Sequence, residues 1–190
     1  MKHLFSLTLA AAILALSAPA DASAQGAVFI AAGGTLPTAD FKDFGAGDGA
    51  NVGWMASAGV QVPVGSAGLS VGARGFYGSN NHDADGDKTN LYGGSGLATF
   101  QFGEADAVSP FVYGEFGYQA HAFKSDSAPS FDDTEWNPFV GGGAGIGFPA
   151  GGVRVFAVAG YSQGFGSEGG QTTYLSGSAG VNIPFGGNGM

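Results

Sequence analysis

Cysteine is absent from this 190-residue chain, and basic residues are scarce. Without cysteine the protein has no disulfides and no thiolate chemistry, so an exported form must depend on packing or on a membrane for stability. Six Lys and Arg residues against fifteen Asp and Glu residues give a formal net charge of −9. Because nucleic-acid binding takes clustered basic residues that neutralise phosphates, this composition argues against nucleic acid as a partner.

Long apolar runs are missing after the first two dozen residues, since Gly, Ser or a charge interrupts every later apolar stretch. The start of the chain has Lys2, an apolar run from Leu4 to Leu16, and then Ala22-Ser23-Ala24. This is the three-part layout of a secretory signal peptide, whose cleavage site needs small residues. A membrane-anchor helix would need a longer run, of roughly 20 residues. We therefore expect residues 1–24 to be a signal peptide cleaved after Ala24.

Glycine is unusually frequent, with 37 residues. Such a count can indicate low complexity or disorder. Here it occurs with 16 Phe, 6 Tyr and 2 Trp residues, and disordered chains usually lack aromatic residues. The composition therefore favours a folded chain.

Alternation of apolar and polar residues recurs along the chain, and this period of two is typical of β-strands with one apolar face. In the last and clearest segment, Leu175, Val181 and Ile183 occupy one face and Ser176 and Ser178 the other. The pattern does not fix the faces of the first and seventh segments. It predicts eight strands, at about Gly26–Gly33, Val52–Val64, Leu69–Tyr77, Asn90–Phe102, Pro110–Ala120, Pro138–Phe148, Val153–Gly164 and Thr173–Phe185.

The less apolar face of these strands decides between a soluble and a membrane barrel. It carries small or polar residues, which would pack a poor dry core but suit the polar interior of a membrane barrel. These residues are Ser57, Gly59, Gln61, Ser70, Gly72, Arg74, Glu115, Gln119, Ser176, Ser178 and Asn182. Arg74 and Glu115 are then lumen charges. They either pair with each other or lie near opposite ends in separate water.

The predicted connections roughly alternate between long and short. The long ones are 34–50, 79–89 and 121–137, and the short ones are 65–68 and 149–152. Bacterial outer-membrane barrels have this asymmetry, with long outer loops and short periplasmic turns.

These features resemble the small eight-stranded outer-membrane β-barrel family of the OmpA and OmpX type. The resemblance covers nearly the whole chain after residue 24. It implies an all-β fold, an eight-stranded antiparallel up-and-down transmembrane β-barrel over residues 25–185, and a short tail at 186–190. Substrates of the barrel-assembly machinery tend to end in a polar residue, any residue, Gly, two of any kind, a hydrophobic residue, any residue and an aromatic. Residues 178–185 fit this pattern, although five residues follow the aromatic here. The resemblance implies that the machinery recognises Ser178, Gly180, Ile183 and Phe185.

An acidic run, Asp83-Ala84-Asp85-Gly86-Asp87, lies in the second long connection. Spaced carboxylates with a glycine turn can bind Ca²⁺, so Asp83, Asp85 and Asp87 are a weak metal candidate. The glycine is misplaced for an EF-hand, and Gly94 stands where the bidentate Glu would fall. A solvated acidic loop that holds divalent cations weakly beside lipopolysaccharide is the alternative.

Catalytic candidates are few, because only His82 and His121 remain after the signal segment. A lipid-modifying enzyme needs a nucleophile or an activated water beside a base. His121 with Ser125 or Asp126 is the conceivable pair. The glycine-rich segment 141–145 is no phosphate loop, since no Lys and no helix follow it. Close strand packing, or a lumen with little bulk, explains it better.

Three classes of function therefore remain. The favoured one is a structural or surface-interaction protein that contributes to envelope integrity or to adhesion through its outer loops. A small porin-like pore is the alternative, and a lipid-modifying enzyme is less favoured. The expected partners are outer-membrane lipids and lipopolysaccharide, with the barrel-assembly machinery and periplasmic chaperones during biogenesis. We expect a monomer without a cofactor.

Overall fold

A computed structural model gives the fold of the chain. It describes residues 26–42, 49–65, 68–82, 86–104, 107–125, 133–166 and 171–186. The predicted signal peptide and its cleavage site after Ala24 lie outside the described residues, as does the tail from residue 187 onward.

Eight strands and one short 3₁₀ turn make up the described fold. The turn, Ala39–Phe41, follows the first strand. The strands are β1 (Gly26–Thr38), β2 (Ala50–Pro63), β3 (Leu69–His82), β4 (Lys88–Gln101), β5 (Ser109–Lys124), β6 (Asp133–Ala150), β7 (Val153–Phe165) and β8 (Gln171–Phe185). No helix in the described residues is long and apolar enough to span a membrane.

The strands form a closed antiparallel barrel in chain order. Each strand pairs with the next, and β8 pairs with β1 from Gly26 opposite Phe185 to Thr38 opposite Thr173. Closure satisfies the backbone groups that an open sheet would leave at its edges. The predicted all-β, eight-stranded up-and-down barrel is therefore confirmed.

The two ends of the barrel differ in their connections. The loop end carries the segments 39–49, 83–87, 125–132 and 166–170, and the turn end carries 64–68, 102–108, 151–152 and both ends of the described chain. Gly151 and Gly152 form the tightest connection with φ values of 54° and 79°. This left-handed region favours glycine and matches the twist of a two-residue hairpin.

Most strands are longer toward the loop end than the alternation predicts. β3 continues to His82 and β4 begins at Lys88, so the expected 79–89 connection shrinks to 83–87. Exposed residues near this end of the hairpin include the polar Asn81 and Lys88. Apolar alternation marks a strand only where its exterior is apolar, so the pattern missed these extensions.

Inward and outward faces follow the predicted alternation. Val52 and Trp54 are exposed on the exterior, at 66% and 52%, while Gln119 is fully buried. The structure also fixes the faces of the first and seventh strands. In β1 Ile30 is exposed and Phe29 is buried, and in β7 Tyr161 is exposed whereas Phe156 and Ser162 are buried.

The interior is more apolar than the sequence suggests, which corrects the expectation of a polar or small lumen face. Buried or partly buried aromatic side chains project inward from several strands, and a glycine often lies beside them on the neighbouring strand. Phe29 stands opposite Gly59, Phe111 opposite Gly145, and Phe156 opposite Gly180. A small barrel is filled by alternating large and small side chains in this way. The glycines make room for aromatic rings rather than leaving the lumen empty.

Candidate functional site

A buried ion pair lies inside the barrel. Arg74 of β3 and Glu115 of β5 both point inward, and Arg74 Nη2 lies 3.1 Å from Glu115 Oε1. Ser95, on the strand between them, donates from Oγ to Glu115 Oε2 at 2.7 Å. The Arg74 guanidinium carbon lies 5.0 Å from the centre of the Phe76 ring. The structure thus brings the two predicted lumen charges together instead of leaving them at opposite ends.

Glycine also shapes the barrel around this pair. The inward positions of β6 from residue 141 to 147 are all glycine, and side chains of β5 and β7 lie over them. A Cβ at Gly141 would lie 3.0 Å from Glu115 Oε1, and one at Gly143 would lie 2.8 Å from the Tyr113 ring. The segment 141–145 therefore provides close packing, as the sequence suggested.

A loop-end cluster of buried apolar residues occupies the interior toward the loop end. Phe76 and Phe139 meet edge to face with 5.6 Å between ring centres. Phe41 enters from the 3₁₀ turn and stacks on His121 at 6.3 Å. The cluster consists of Phe41, Ala50, Met55, Phe76, Leu91, Phe139 and Tyr174. These side chains fill the space through which a continuous water channel would have to pass.

Polar side chains surround the loop-end cluster. Asn80 donates from Nδ2 to Thr35 Oγ1 at 3.0 Å and to the Asn51 backbone oxygen at 2.8 Å. These bonds satisfy buried polar groups and connect β1, β2 and β3 across the interior. They therefore link three consecutive strands of the barrel near the loop end.

Both histidines contact threonine hydroxyls. His82 Nε2 lies 2.7 Å from Thr89 Oγ1, and His121 Nδ1 lies 2.6 Å from Thr172 Oγ1. The printed contacts are thus Thr–His contacts, whereas the sequence suggested a pair of His121 with Ser125 or Asp126. Ser125 is buried beyond the end of β5. Asp126, the other partner considered for His121, lies outside the described residues.

The acidic metal candidate is described in part. Asp83 and Asp85 lie outside the described residues. Asp87 is described, and its backbone oxygen accepts from the His82 N–H at 2.9 Å. Within the ranges that the structure covers, no group of three or more His, Asp or Glu residues could hold a metal ion. Calcium binding by this loop stays a prediction.

The four residues of the predicted assembly signal lie on β8, the strand that closes the barrel. Ser178 and Gly180 face the interior, and Ile183 and Phe185 are exposed at 45% and 39%. Phe185 lies over β1, since a Cβ at Gly26 would lie 2.6 Å from Phe185 Cζ. Recognition of these residues by an assembly machinery stays a prediction.

A cavity of about 130 Å³, here called the turn-end cavity, lies between the ion pair and the turn end. Its walls include the apolar side chains Phe29, Leu97, Phe111, Phe156 and Val158. Arg74 lines it on one side, and Gly68, Gln101 and Arg154 line it near the turn end.

Phe41 and Arg154 are among the residues that shape the interior and that sequence reasoning missed. Phe41 lies in a predicted loop and carries no strand signal. Arg154 lies on the seventh strand, whose faces the pattern left open. Its guanidinium donates to the backbone oxygens of Ala107 at 3.2 Å and Gly147 at 3.0 Å. The inward position of Phe156, two residues later on the strand, places Arg154 on the same face.

No protein-family model matches this sequence, and no curated protein matches it either. Similarity is found instead among solved structures. The Neisserial surface protein NspA is 16% identical with a TM-score of 0.65, and the alignment covers 86% of this chain and 99% of that one. The N-terminal β-barrel domain of Pseudomonas aeruginosa OprF is 21% identical with a TM-score of 0.50, over 86% and 100% of the two chains.

A third similar structure is Ail, the attachment invasion locus protein of Yersinia pestis, in complex with the heparin analogue sucrose octasulfate. It is 14% identical with a TM-score of 0.51, over 85% of this chain and 99% of that one. At such identities the likeness concerns the fold, and these neighbours are bacterial outer-membrane barrels. The chain therefore has the fold of the small eight-stranded outer-membrane β-barrels, which its sequence resembles.

Proposed function

We propose that the protein is an outer-membrane barrel with a structural or surface-interaction role, exposing its loop end outside the cell and its turn end to the periplasm. The observation that carries this proposal is an apolar exterior around an interior filled by the loop-end cluster. Exposed side chains such as Val52, Phe116 and Ile30 suit lipid, at 66%, 59% and 57% exposure. A barrel that is filled inside offers its connecting loops as the interacting surface.

The aromatic side chains on the exterior support insertion in a membrane. The rings of Trp54 and Tyr77 lie 5.7 Å apart, those of Tyr77 and Tyr92 6.4 Å apart, and those of Tyr92 and Trp136 5.5 Å apart. They form one band across the outside of β2 to β6. Tyrosine and tryptophan are enriched at membrane–water interfaces, so the band favours an interface on the loop-end side.

Two of the similar structures support a surface role by what they are called. NspA is named a surface protein, and Ail is named an attachment invasion locus protein. The heparin analogue bound to Ail is a polyanion, and acidic residues outnumber basic ones in this chain. We therefore propose lipopolysaccharide, bridged by divalent cations held at Asp83, Asp85 and Asp87, as a surface partner. Folding would involve the barrel-assembly machinery and periplasmic chaperones, and we propose a monomer.

The porin-like alternative is less well supported, because the loop-end cluster occupies the path that solutes would take. The lipid-modifying alternative is also weaker. Its candidate base, His121, packs on Phe41 of the loop-end cluster and contacts Thr172, away from the exterior where a lipid would lie.

Labelling of single cysteines tests the location and the orientation, since the natural chain has none. Asn81→Cys places a thiol at an exposed site at the loop end, and Ala107→Cys is the matched site at the turn end. A maleimide that does not cross membranes should label the first variant on intact cells and the second after permeabilisation alone. Equal labelling of both on intact cells would contradict the proposed orientation.

The sensitivity of cells to detergent and chelator tests the proposed structural role. Cells that lack the protein should become more sensitive to detergent and chelator, and the wild-type gene should restore resistance. A variant with Asp83, Asp85 and Asp87 changed to Ser should insert normally but restore less resistance. Unchanged sensitivity in cells without the protein would contradict a structural role.

A further inference from the structure

The turn-end cavity is a space inside the barrel that the proposed surface role does not use. Its volume is about 130 Å³. An apolar cavity of about 150 Å³ is enough to bind benzene in another protein. The space therefore suits a ligand built on one aromatic ring.

Apolar side chains surround much of this space. Phe111 and Phe156 meet edge to face with 6.2 Å between ring centres. Phe29, Leu97 and Val158 pack in the same cluster, and all five residues line the cavity. Aromatic and branched side chains of this kind favour the apolar body of a ligand, as in most small-molecule sites.

The charged residues among those lining the cavity, which are Arg74, Glu115 and Arg154, already have partners. Arg74 pairs with Glu115 at 3.1 Å. Arg154 donates to the backbone oxygens of Ala107 at 3.2 Å and Gly147 at 3.0 Å. An ionised ligand would lose its hydration without gaining a free counter-charge from these residues, which is costly. The cavity therefore favours a neutral ligand.

Two hydroxyl groups lie near each other on the wall next to the ion pair. Tyr113, two positions before Glu115 on the inward face of β5, lies across β6 and β7. A Cβ at Gly143 would lie 2.8 Å from Tyr113 Cε1, and one at Gly160 would meet Tyr113 Oη. The Cβ at Gly160 would also lie 3.3 Å from Ser176 Oγ, and both hydroxyl residues line the cavity. Because a hydroxyl can donate and accept hydrogen bonds, this part of the wall suits one polar group of a ligand.

Access to the cavity is from the turn end. The loop-end cluster fills the interior beyond the ion pair. Gly68 and Gln101 line the cavity near the turn end, where Gly68 is exposed and Gln101 is partly exposed. A ligand that enters there would pass Phe111 and then reach Tyr113, two positions further along the same inward face.

We propose that the turn-end cavity binds a small neutral aromatic molecule with one hydroxyl group, of the phenol class. The ring packs among Phe29, Phe111 and Phe156, and the hydroxyl bonds to Tyr113 Oη. This goes beyond the proposed surface role, which needs no ligand inside the barrel.

Fluorine NMR on the folded protein in detergent micelles tests the proposal, with 4-fluorophenol as the probe. Ser57→Leu adds bulk to a residue that lines the cavity, while Ala58→Leu adds the same bulk at an exposed position on the exterior. We expect saturable binding to the wild type and to Ala58→Leu, and binding that is at least several-fold weaker in Ser57→Leu. Absence of saturable binding to the wild type, or equal binding in the two folded variants, would overturn the proposal.

Removal of one hydroxyl tests how the ligand is held. Tyr113→Phe should weaken the binding of 4-fluorophenol about two- to tenfold, as expected for one hydrogen bond between neutral groups, and should leave the binding of fluorobenzene unchanged. Tyr118→Phe is the matched control, since Tyr118 is an exterior tyrosine of the same strand with 42% exposure. It should change the binding of neither probe. An equal effect of Tyr113→Phe on both probes, or no effect on either, would overturn the assigned hydrogen bond.

Ionised analogues test the preference for a neutral ligand. Benzoate carries a negative charge and benzylamine a positive charge at neutral pH. Neither should displace 4-fluorophenol at concentrations at which phenol does so. Displacement by either ion as effectively as by phenol would overturn the preference for a neutral ligand.

Discussion

Inside the barrel, several large side chains lie opposite a glycine of the neighbouring strand. Each occupies space that a side chain at the glycine position would fill. Gly145 illustrates this relation, since a Cβ there would lie 2.7 Å from Phe111 Cε1 and 2.6 Å from the Ala157 backbone oxygen. The Ala157 oxygen belongs to the paired strand β7, so it cannot retreat without disturbing the sheet. Glycine at this position is therefore a requirement of packing rather than of backbone conformation.

Gly145→Ala should lower the free energy of unfolding by about 1–3 kcal/mol, because overpacking displaces neighbouring side chains and backbone. Gly114→Ala is the matched control, since a Cβ at Gly114 has nothing within 4 Å. The control should be neutral or stabilising by up to about 1 kcal/mol. Urea unfolding in lipid vesicles, followed by Trp54 and Trp136 fluorescence, measures both. A control as unstable as Gly145→Ala would contradict the packing argument.

The Arg74–Glu115 pair predicts strong non-additivity. Glu115→Leu alone leaves a largely buried guanidinium without its carboxylate, which should cost about 3–5 kcal/mol of stability. Adding Arg74→Met removes the unpaired charge, so the double variant should regain most of this loss. Urea unfolding of both single variants and of the double variant measures the coupling. Additive effects would mean that the two charges act independently.

At the scale of the element, β8 has two roles that its sequence combines. It supplies lumen residues on one face, and its pairing with β1 closes the barrel. Its terminal Phe185 covers Gly26, so the aromatic residue of the predicted assembly signal also contacts the strand where the barrel closes. The closing strand is therefore the element in which assembly and stability are most closely linked.

Phe185→Ala should slow the appearance of folded protein in the outer membrane, because it removes both the predicted signal and the contact with β1. Phe148→Ala is the matched control, since Phe148 is also an exterior aromatic at the turn end, with 41% exposure against 39% for Phe185. Pulse-labelling followed by unboiled gel electrophoresis measures the assembly rate. Equal delay in both variants would attribute the effect to a general loss of aromatic surface.

At the scale of the whole molecule, the closed sheet and the side chains inside it determine whether solutes could pass through the barrel. Eight strands enclose an interior about wide enough for side chains to fill. Here the loop-end cluster fills one part, and the turn-end cavity occupies the other. The interior is thus filled toward the loop end, which favours a surface role over transport.

The wild-type protein should show no steady conductance in planar lipid bilayers. The double variant Phe76→Ala/Phe139→Ala removes two rings of the loop-end cluster and should permit measurable ion flow. Phe148→Ala, an exterior change, should conduct no more than the wild type. Steady single-channel currents from the wild type would contradict the closed interior and support the porin-like alternative.

The sequence by itself determined the strand class and most of the faces. Side chains alternate with a period of two, so the patterns around Trp54, Glu115 and Ile183 could be interpreted without knowledge of any partner strand. The membrane-barrel class followed because one face of the strands is apolar while the other carries mostly small or polar residues.

Only the tertiary structure decided what fills the interior. The Arg74–Glu115 contact and the fit of Phe111 over Gly145 depend on register between strands, and the position of Phe41 depends on how a connection folds back. Register is set by pairing and closure of the whole sheet, not by the alternation within one strand. The expectation of a polar lumen was wrong for the same reason. Alternation shows that glycines face the interior, but only the register shows that aromatic rings of neighbouring strands lie over them.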